Sequence, residues 1–365
     1  MPGQVEPPIP AGSSKVPVVR SRIAVQLILI GLALVATTGQ AQVLQSSADG
    51  GQHWLVRDSG ETRLSGPAGA QMRVNLPPGD VLSDLEPTPS GWLAAVRIPS
   101  GVGTELLILE GRDGETDLLG VPARAGGTFR GQPVVMLEQG HLVGLVWAEG
   151  NAHDQLAIWA ASLEDGEWGQ PELVSPPGPG SQLAPKGVVL GDRSWLAIWP
   201  AFDGTDDEIR WSRRVGGQWS PPQRVHADND VPDLLPDVIA IDGGALVAWS
   251  WFDGNDYRLR TARLIDGGWS DFETIGEKGS VEAGLVRSED GIRLLYQTVM
   301  PATWTVLELD SRGMARRTAV LRVDTYERPL LLSDESGAAR LVWPALENRL
   351  QPAREHPLVW QQGQP

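Results

Sequence analysis

The chain has 365 residues, no cysteine, and a formal net charge of −16 from 46 acidic and 30 basic residues. That charge repels phosphate backbones and argues against nucleic acid as a partner. The absence of Cys removes disulfides, thiol nucleophiles and cysteine-based metal sites, so stability rests on a packed core, for which 15 Trp are present.

Residues 1–22 are Pro-rich and polar. Arg20 and Arg22 then precede the apolar run "IAVQLILIGLALVATT", Ile23 to Thr38. This run is short for a spanning helix, which needs about 20 residues. A basic flank, a short apolar run and the small residues around "GQA" match a secretory signal cleaved after Ala41; left uncleaved, the segment is a membrane anchor. Removing residues 1–41 takes away three basic residues (Lys15, Arg20, Arg22) and one acidic residue (Glu6), moving the charge from −16 to −18. Residues 42–365 are expected to form one periplasmic or secreted domain, touching a membrane only through an uncleaved N-terminal segment.

Beyond residue 80 the sequence repeats. The segments "PTPSGWLAAVRI", "VMLEQGHLVGLVWAE", "VVLGDRSWLAIWPA", "IAIDGGALVAWSW", "LVRSEDGIRLLYQT" and "LLLSDESGAARLVWPA" each read as an apolar strand, a Gly/Asp/Ser turn and a second strand ending in a bulky residue. Those end positions are Val96, Trp147, Trp199, Trp249, Tyr296 and Trp343, spaced by 51, 52, 50, 47 and 47 residues. A third strand follows each, as in "EIRWSRR" and "RLRTARL". Tight turns and a fourth strand come next in "EDGEWGQPELV", "GGQWSPPQRV" and "DGGWSDFETI". No 3.6-residue periodicity is sustained outside the apolar run, so helix content should be very low. The pattern predicts an all-β, six-bladed β-propeller of four-stranded antiparallel blades. Its ring is expected to close through N-terminal strands that complete a blade begun near Trp343. The anchor tryptophans are expected to pack between blades.

The segment "SADGGQHW", Ser47 to Trp54, resembles the Asp-box of bacterial sialidase repeats, S-x-D-x-G-x-T-W, at Ser47, Asp49, Gly51 and Trp54, with His53 where Thr is usual. "EDGEW", "GGQW" and "DGGW" resemble eroded copies. The resemblance implies a sialidase-like propeller, with the Asp-box turn joining the third and fourth strands of a blade. A competing register places a hairpin at "DSGETRL", Asp58 to Leu64, which resembles "RDGETDL", Arg112 to Leu118.

In such a propeller, loops joining strands 2 and 3, and strand 4 to the next blade, lie on the usual ligand face. "FDGTDDE" (Phe202 to Glu208) and "FDGNDY" (Phe252 to Tyr257) are equivalent loops fifty residues apart, with "HADNDVPD" (His226 to Asp233) linking their blades. Carboxylates of Asp203, Asp206, Asp253 and Asp256 suit a hard cation such as calcium. Asp and Gly are also good turn formers, and no complete calcium-loop consensus is present. No other cofactor is implied. Trp251, two residues past an anchor, is the candidate for an exposed ligand-stacking ring, with Phe202 and Phe252 beside it. The five His (His53, His141, His153, His226, His356) read as surface or turn residues.

The sialidase resemblance also implies a catalytic alternative. "TFRGQP" resembles the family's F/Y-R-I-P motif at Phe129, Arg130 and Pro133. "WAEGNAHD" makes Asp154 the acid/base candidate, and "TYERP" supplies Tyr326, Glu327 and Arg328. The second and third arginines of the family's triad cannot be assigned. Adjacent Tyr326 and Glu327 point to opposite faces of a strand, which opposes their pairing. An acidic face also disfavours an anionic sugar. The sequence therefore predicts an exported, non-catalytic propeller that binds a protein or a neutral glycan as a module of the cell envelope. The alternative is a sialidase-type glycoside hydrolase.

Overall fold

The computed structural model describes residues 42–48, 51–58, 61–65, 71–74, 81–101, 103–112, 115–152, 155–227, 229–288, 291–310, 313–322, 329–333, 339–343 and 354–362. Among them there is no helix. Every regular element is a strand, and the strands fall into seven antiparallel sheets. All lie in one compact unit, Ala41–Pro365. The apolar run Ile23–Thr38 lies outside the described residues; among these, no helix is long and apolar enough to cross a membrane.

The middle sheets share one plan. In the fourth, Lys186–Val189, Trp195–Phe202 and Asp207–Val215 pair in sequence order; in the fifth, Asp233–Ile241, Gly244–Phe252 and Tyr257–Ile265 do the same. The outermost strand of each is broken in two. Gln218–Trp219 and Gln223–Arg224 both pair with Asp207–Val215, with "SPP" between them. Pro221 and Pro222 have no N–H to give the ladder and suit the break in the fourth sheet, while the fifth breaks at the same place across Ser270–Phe272 without proline. Ser220 Oγ takes up the loss by accepting the Arg213 N–H at 3.1 Å, as Ser270 Oγ accepts that of Arg263 at 3.0 Å in the fifth sheet.

The hydrophobic clusters straddle successive sheets. Trp147 packs with Leu93, Ala95 and Ile108 of the second sheet, Trp199 with Met136, Val146 and Ile158 of the third, and Trp249 with Leu196, Ile198 and Ile209 of the fourth. All three indoles are fully buried. The tryptophan spacing is thus the spacing of the sheets, as the repeat predicts. Trp343 belongs to the strand Ala339–Trp343 of the last sheet.

The N-terminal register differs from expectation. Gln42–Ala48 pairs with Gly51–Asp58 through Ala48 opposite Gly51, so "SADGGQHW" spans the first hairpin of its sheet rather than a turn between third and fourth strands. Glu61–Ser65 and Gln71–Val74 complete that sheet, and "DSGETRL" joins its second and third strands. The C-terminal strands pair among themselves (Leu330–Ser333, Ala339–Trp343, Arg354–Pro357), while Gln361–Gln362 joins the sixth sheet. No shared N- and C-terminal blade occurs among the described residues. The N-terminal segment holds enough alternating apolar residues to build four strands of its own, and local hairpins close at lower entropic cost than a pairing across the whole chain.

First strands of successive sheets lie side by side. Gln42–Ala48 touches Val81–Thr88, followed in turn by Phe129–Glu138, Lys186–Val189, Asp233–Ile241 and Ser280–Ser288; the last of these again touches Gln42–Ala48. These splayed strands share no ladder, so their facing N–H groups need other acceptors. Bulges supply them by turning carboxylates inward. At one register shift Asp84 accepts N–H groups from Val135 at 2.8 Å and Leu85 at 3.1 Å; at another, Asp237 accepts that of Leu285 at 2.7 Å. Lys186 stands 3.9 Å from Asp237. Withdrawal from water raises the pKa of Asp84 to about 6, against the lowering by Lys186 and the two N–H groups, with Asp237 adding to the rise. The folded state therefore holds a proton between about pH 4 and 6 that the unfolded chain, with a carboxyl near 3.9, has released. This contribution favours folding below about pH 4 and is lost as pH rises through 6. Denaturant unfolding of the parent, compared with Asp84→Asn, should show the parent losing relative stability across that window. A constant difference would contradict the assignment.

Candidate functional site

The loop Asp203–Asp206 turns the second strand of the fourth sheet into the third. Asp203 N–H donates to Asp206 O at 3.0 Å, and Gly204 takes φ +113°, a region glycine tolerates. Asp203 Oδ1 accepts the N–H groups of Thr205 (2.9 Å) and Asp206 (3.4 Å), and Oδ2 accepts from Arg224 at 2.6 Å. The loop Asp253–Asp256 repeats this geometry. Asp253 Oδ1 accepts from Asn255 and Asp256, Arg258 Nε lies 3.1 Å from Oδ2, and Gly254 takes φ +93°. Asp203 and Asp253 are therefore turn-closing residues, each already holding an arginine.

The four predicted aspartates do not come together as one group among the described residues. Asp203 and Asp206 instead join Glu208, each placing a carboxylate oxygen within 4.8 Å of the others. Glu208 is fully buried opposite Ala201, and neither of its oxygens accepts a hydrogen bond among the described residues. Burial pushes its pKa up to about 8; Asp233 and Asp206 add to the rise, and His226 and Arg224 oppose it. Burial also raises Asp207 to about 6, helped by Asp203.

A second constellation faces Glu208 from the fifth sheet. Asp233, wholly buried, accepts from Trp249 Nε1 at 2.7 Å on one oxygen, and from Asn229 Nδ2 at 3.1 Å and His226 Nε2 at 2.7 Å on the other. His226 Nδ1 lies 2.6 Å from Ala227 O, so both ring nitrogens face acceptors. Burial pulls the His226 pKa down, but Asp233, the Ala227 carbonyl and Glu208 outweigh it, and the net direction is up. The imidazole stacks on Trp249 at 5.6 Å and 9°, with Phe272 edge-on at 5.9 Å. Its side chain is only 9 % exposed. Of the surface or turn role expected for His226, the turn holds, since it lies in a bend, but its ring is buried rather than at the surface.

Trp251 is half-buried rather than exposed. Its ring covers the Arg260 guanidinium at 3.6 Å, which Phe272 approaches from its own side at 3.7 Å. Phe272, 41 % exposed, is the aromatic that reaches solvent here. Phe252 packs on Tyr257 at 5.2 Å, and Phe202 lies in the equivalent position opposite Asp207. Their loops join the second and third strands of the fourth and fifth sheets.

Arg130 is 2 % exposed. Its guanidinium is held by Glu149 at 3.1 Å and the Pro122 carbonyl at 3.1 Å, over the Trp147 ring at 5.0 Å. A group so enclosed is held in a structural ion pair, which does not favour the substrate-gripping role that the catalytic alternative gives it. Asp154, Tyr326, Glu327 and Arg328 lie outside the described residues. Sequence reading missed Glu208, Arg260 and His226. The readable signal was a charge reversal: Glu208 in "FDGTDDE" stands where Arg258 follows "FDGNDY" fifty residues on.

No protein-family model matches the chain, and no curated protein matches it. Solved structures do. A puromycin-hydrolysing peptidase of Mycobacterium tuberculosis aligns with TM-score 0.50 at 17 % identity, over 86 % of this chain and 52 % of that one. A PL25 polysaccharide lyase bound to an ulvan fragment aligns with TM-score 0.50 at 10 % identity, over 78 % and 79 %. TolB from Acinetobacter baumannii aligns with TM-score 0.46 at 12 % identity, over 78 % and 80 %. At these identities the likeness shows fold alone. The two alignments at TM-score 0.50, with the four-stranded antiparallel sheets, place the chain in the β-propeller class.

Proposed function

We propose that this chain is an exported, sialidase-like β-propeller of non-catalytic type. It acts as a binding or scaffold module of the cell envelope and takes a protein or a neutral glycan on the loop face of the fourth and fifth sheets. The observation that carries this reading is the pairing of an aromatic rim, Trp251 and solvent-reaching Phe272 around Arg260, with the carboxylates of the adjoining loops. Aromatic faces stack on sugar rings or apolar side chains, while the acidic surroundings turn anions away. The sequential contacts of first strands, closing from Ser280–Ser288 back to Gln42–Ala48, support a six-membered inner ring. Export rests on the basic flank and apolar run of residues 20–41.

The exported product should begin near Gln42 by mass spectrometry; an intact Met1 in the membrane fraction would establish the anchor instead. On an array of neutral and uronate- or sulfate-bearing glycans, the protein should retain neutral ligands only, and Phe272→Ala should weaken retention about tenfold. Preference for the anionic glycans, or turnover of a fluorogenic sialoside, would overturn the reading.

A further inference from the structure

The fourth and fifth sheets carry the same loop with opposite electrostatics, and each serves as a control for the other. In the fifth, the position opposite Trp251 is Arg258, which holds Asp253, and Lys278 Nζ lies 3.6 Å from Asp256. The anionic turn there carries its own cations. In the fourth, the equivalent position opposite Ala201 is Glu208. A carboxylate stands where the fifth sheet places a guanidinium, against a turn that already contains Asp203 and Asp206.

Arg224 answers part of this charge through Asp203. Glu208 remains wholly buried, with both oxygens outside any hydrogen bond among the described residues. A buried carboxylate without a donor is costly unless a proton or a cation meets it. We propose that Asp203, Asp206 and Glu208 bind one divalent hard cation, calcium being the fitting size, at the head of the fourth sheet. Three carboxylates at the head of one strand pair suit calcium, which accepts six to eight oxygens in adaptable geometry, with water completing the sphere. The neighbouring group of Glu208, His226 and Asp233 does not compete for the ion, because both imidazole nitrogens are engaged by Ala227 and Asp233. This site replaces the grouping with Asp253 and Asp256; it lies on the same loop as the proposed ligand face, and its test reads the ion alone.

The test uses the full mature chain, stripped with a chelator and titrated with calcium chloride, with magnesium chloride in parallel. Calorimetry should show one saturable event per chain, and the melting temperature should rise by a few degrees, because an ion bound only by the folded state stabilises it by mass action. Glu208→Gln keeps the shape and should weaken binding at least tenfold. Asp256→Asn, in the equivalent loop, should leave binding unchanged. Glu208→Arg copies the fifth sheet and should fold with a melting temperature indifferent to calcium; near-ultraviolet circular dichroism of the tryptophans checks that each variant is folded. No heat and no melting shift with either cation in the parent would overturn the site. Parent-like affinity in Glu208→Gln, or loss of binding in Asp256→Asn, would do the same.

Discussion

Trp249→Ala is expected to lower the unfolding free energy by about 3–5 kcal/mol, the range for truncating a large buried aromatic. Trp251→Ala, two residues on, should cost only about 1–2 kcal/mol. Both side chains leave the same face of one strand, so the contrast isolates environment from backbone. Trp249 is fully enclosed against Leu196, Ile198 and Ile209, donates to Asp233 at 2.7 Å, and supports the stacked His226. Its removal opens a cavity between two sheets and strips a donor from a buried carboxylate. Trp251 is half-buried, and what it chiefly contributes is one face of the Arg260 sandwich, a contact worth up to about 2 kcal/mol when desolvated. Trp199→Ala should resemble Trp249→Ala, since Trp199 is equally buried and donates to Gln182 at 2.7 Å. Equal losses at positions 249 and 251 in urea titrations would contradict the burial described.

The reasons for this contrast also mark how far the sequence could be read. Strand-turn-strand segments are local, and a tryptophan repeating every fifty or so residues has one economical meaning: the same interface built again. Hence the sheets, their antiparallel order and their tryptophan-lined interfaces were legible. The N-terminal register was not. Four short strands between Gln42 and Val74 satisfy the alternation as well as a blade shared with the far end of the chain, and the pattern alone holds nothing that distinguishes the two. Aspartate-rich loops were found by composition, but composition cannot distinguish a carboxylate that closes its own turn, as Asp253 does, from one buried without a donor. Glu208 and Arg258 carry opposite charges at one repeat position. That difference acquires meaning only when Ala201 and Trp251 are seen to stand opposite them. His226 was misread because its burial depends on an acceptor, Asp233, that the linker brings back onto the next sheet.

Glu149→Gln should destabilise the protein by about 3–5 kcal/mol, the usual consequence of leaving one member of a buried ion pair uncompensated. Both partners are enclosed: Arg130 and Glu149 side chains are each 1 % exposed, 3.1 Å apart. Glu149 spends its oxygens fully, accepting from Gly127 N–H and from Trp147 Nε1, both at 2.8 Å. A glutamine keeps the volume but offers one carbonyl oxygen where two acceptors are needed, and it removes the charge that opposes the burial of Arg130. Burial already draws the Arg130 pKa down, with Glu149 and Glu105 opposing it. Glu105 cannot take over, because Arg124 holds it and it sits 3.7 Å from Arg130 in a more exposed position. The double variant Arg130→Met with Glu149→Leu should recover most of the loss, since an apolar pair of similar volume leaves no orphaned charge. A double variant as unstable as the sum of its singles would show the two side chains acting separately. A structural Arg130 makes a further demand, which separates it from a substrate-gripping arginine. Arg130→Met/Glu149→Leu protein that has refolded should bind whatever the loop face binds as tightly as the parent. Affinity lost in that folded double variant would return Arg130 to the ligand site.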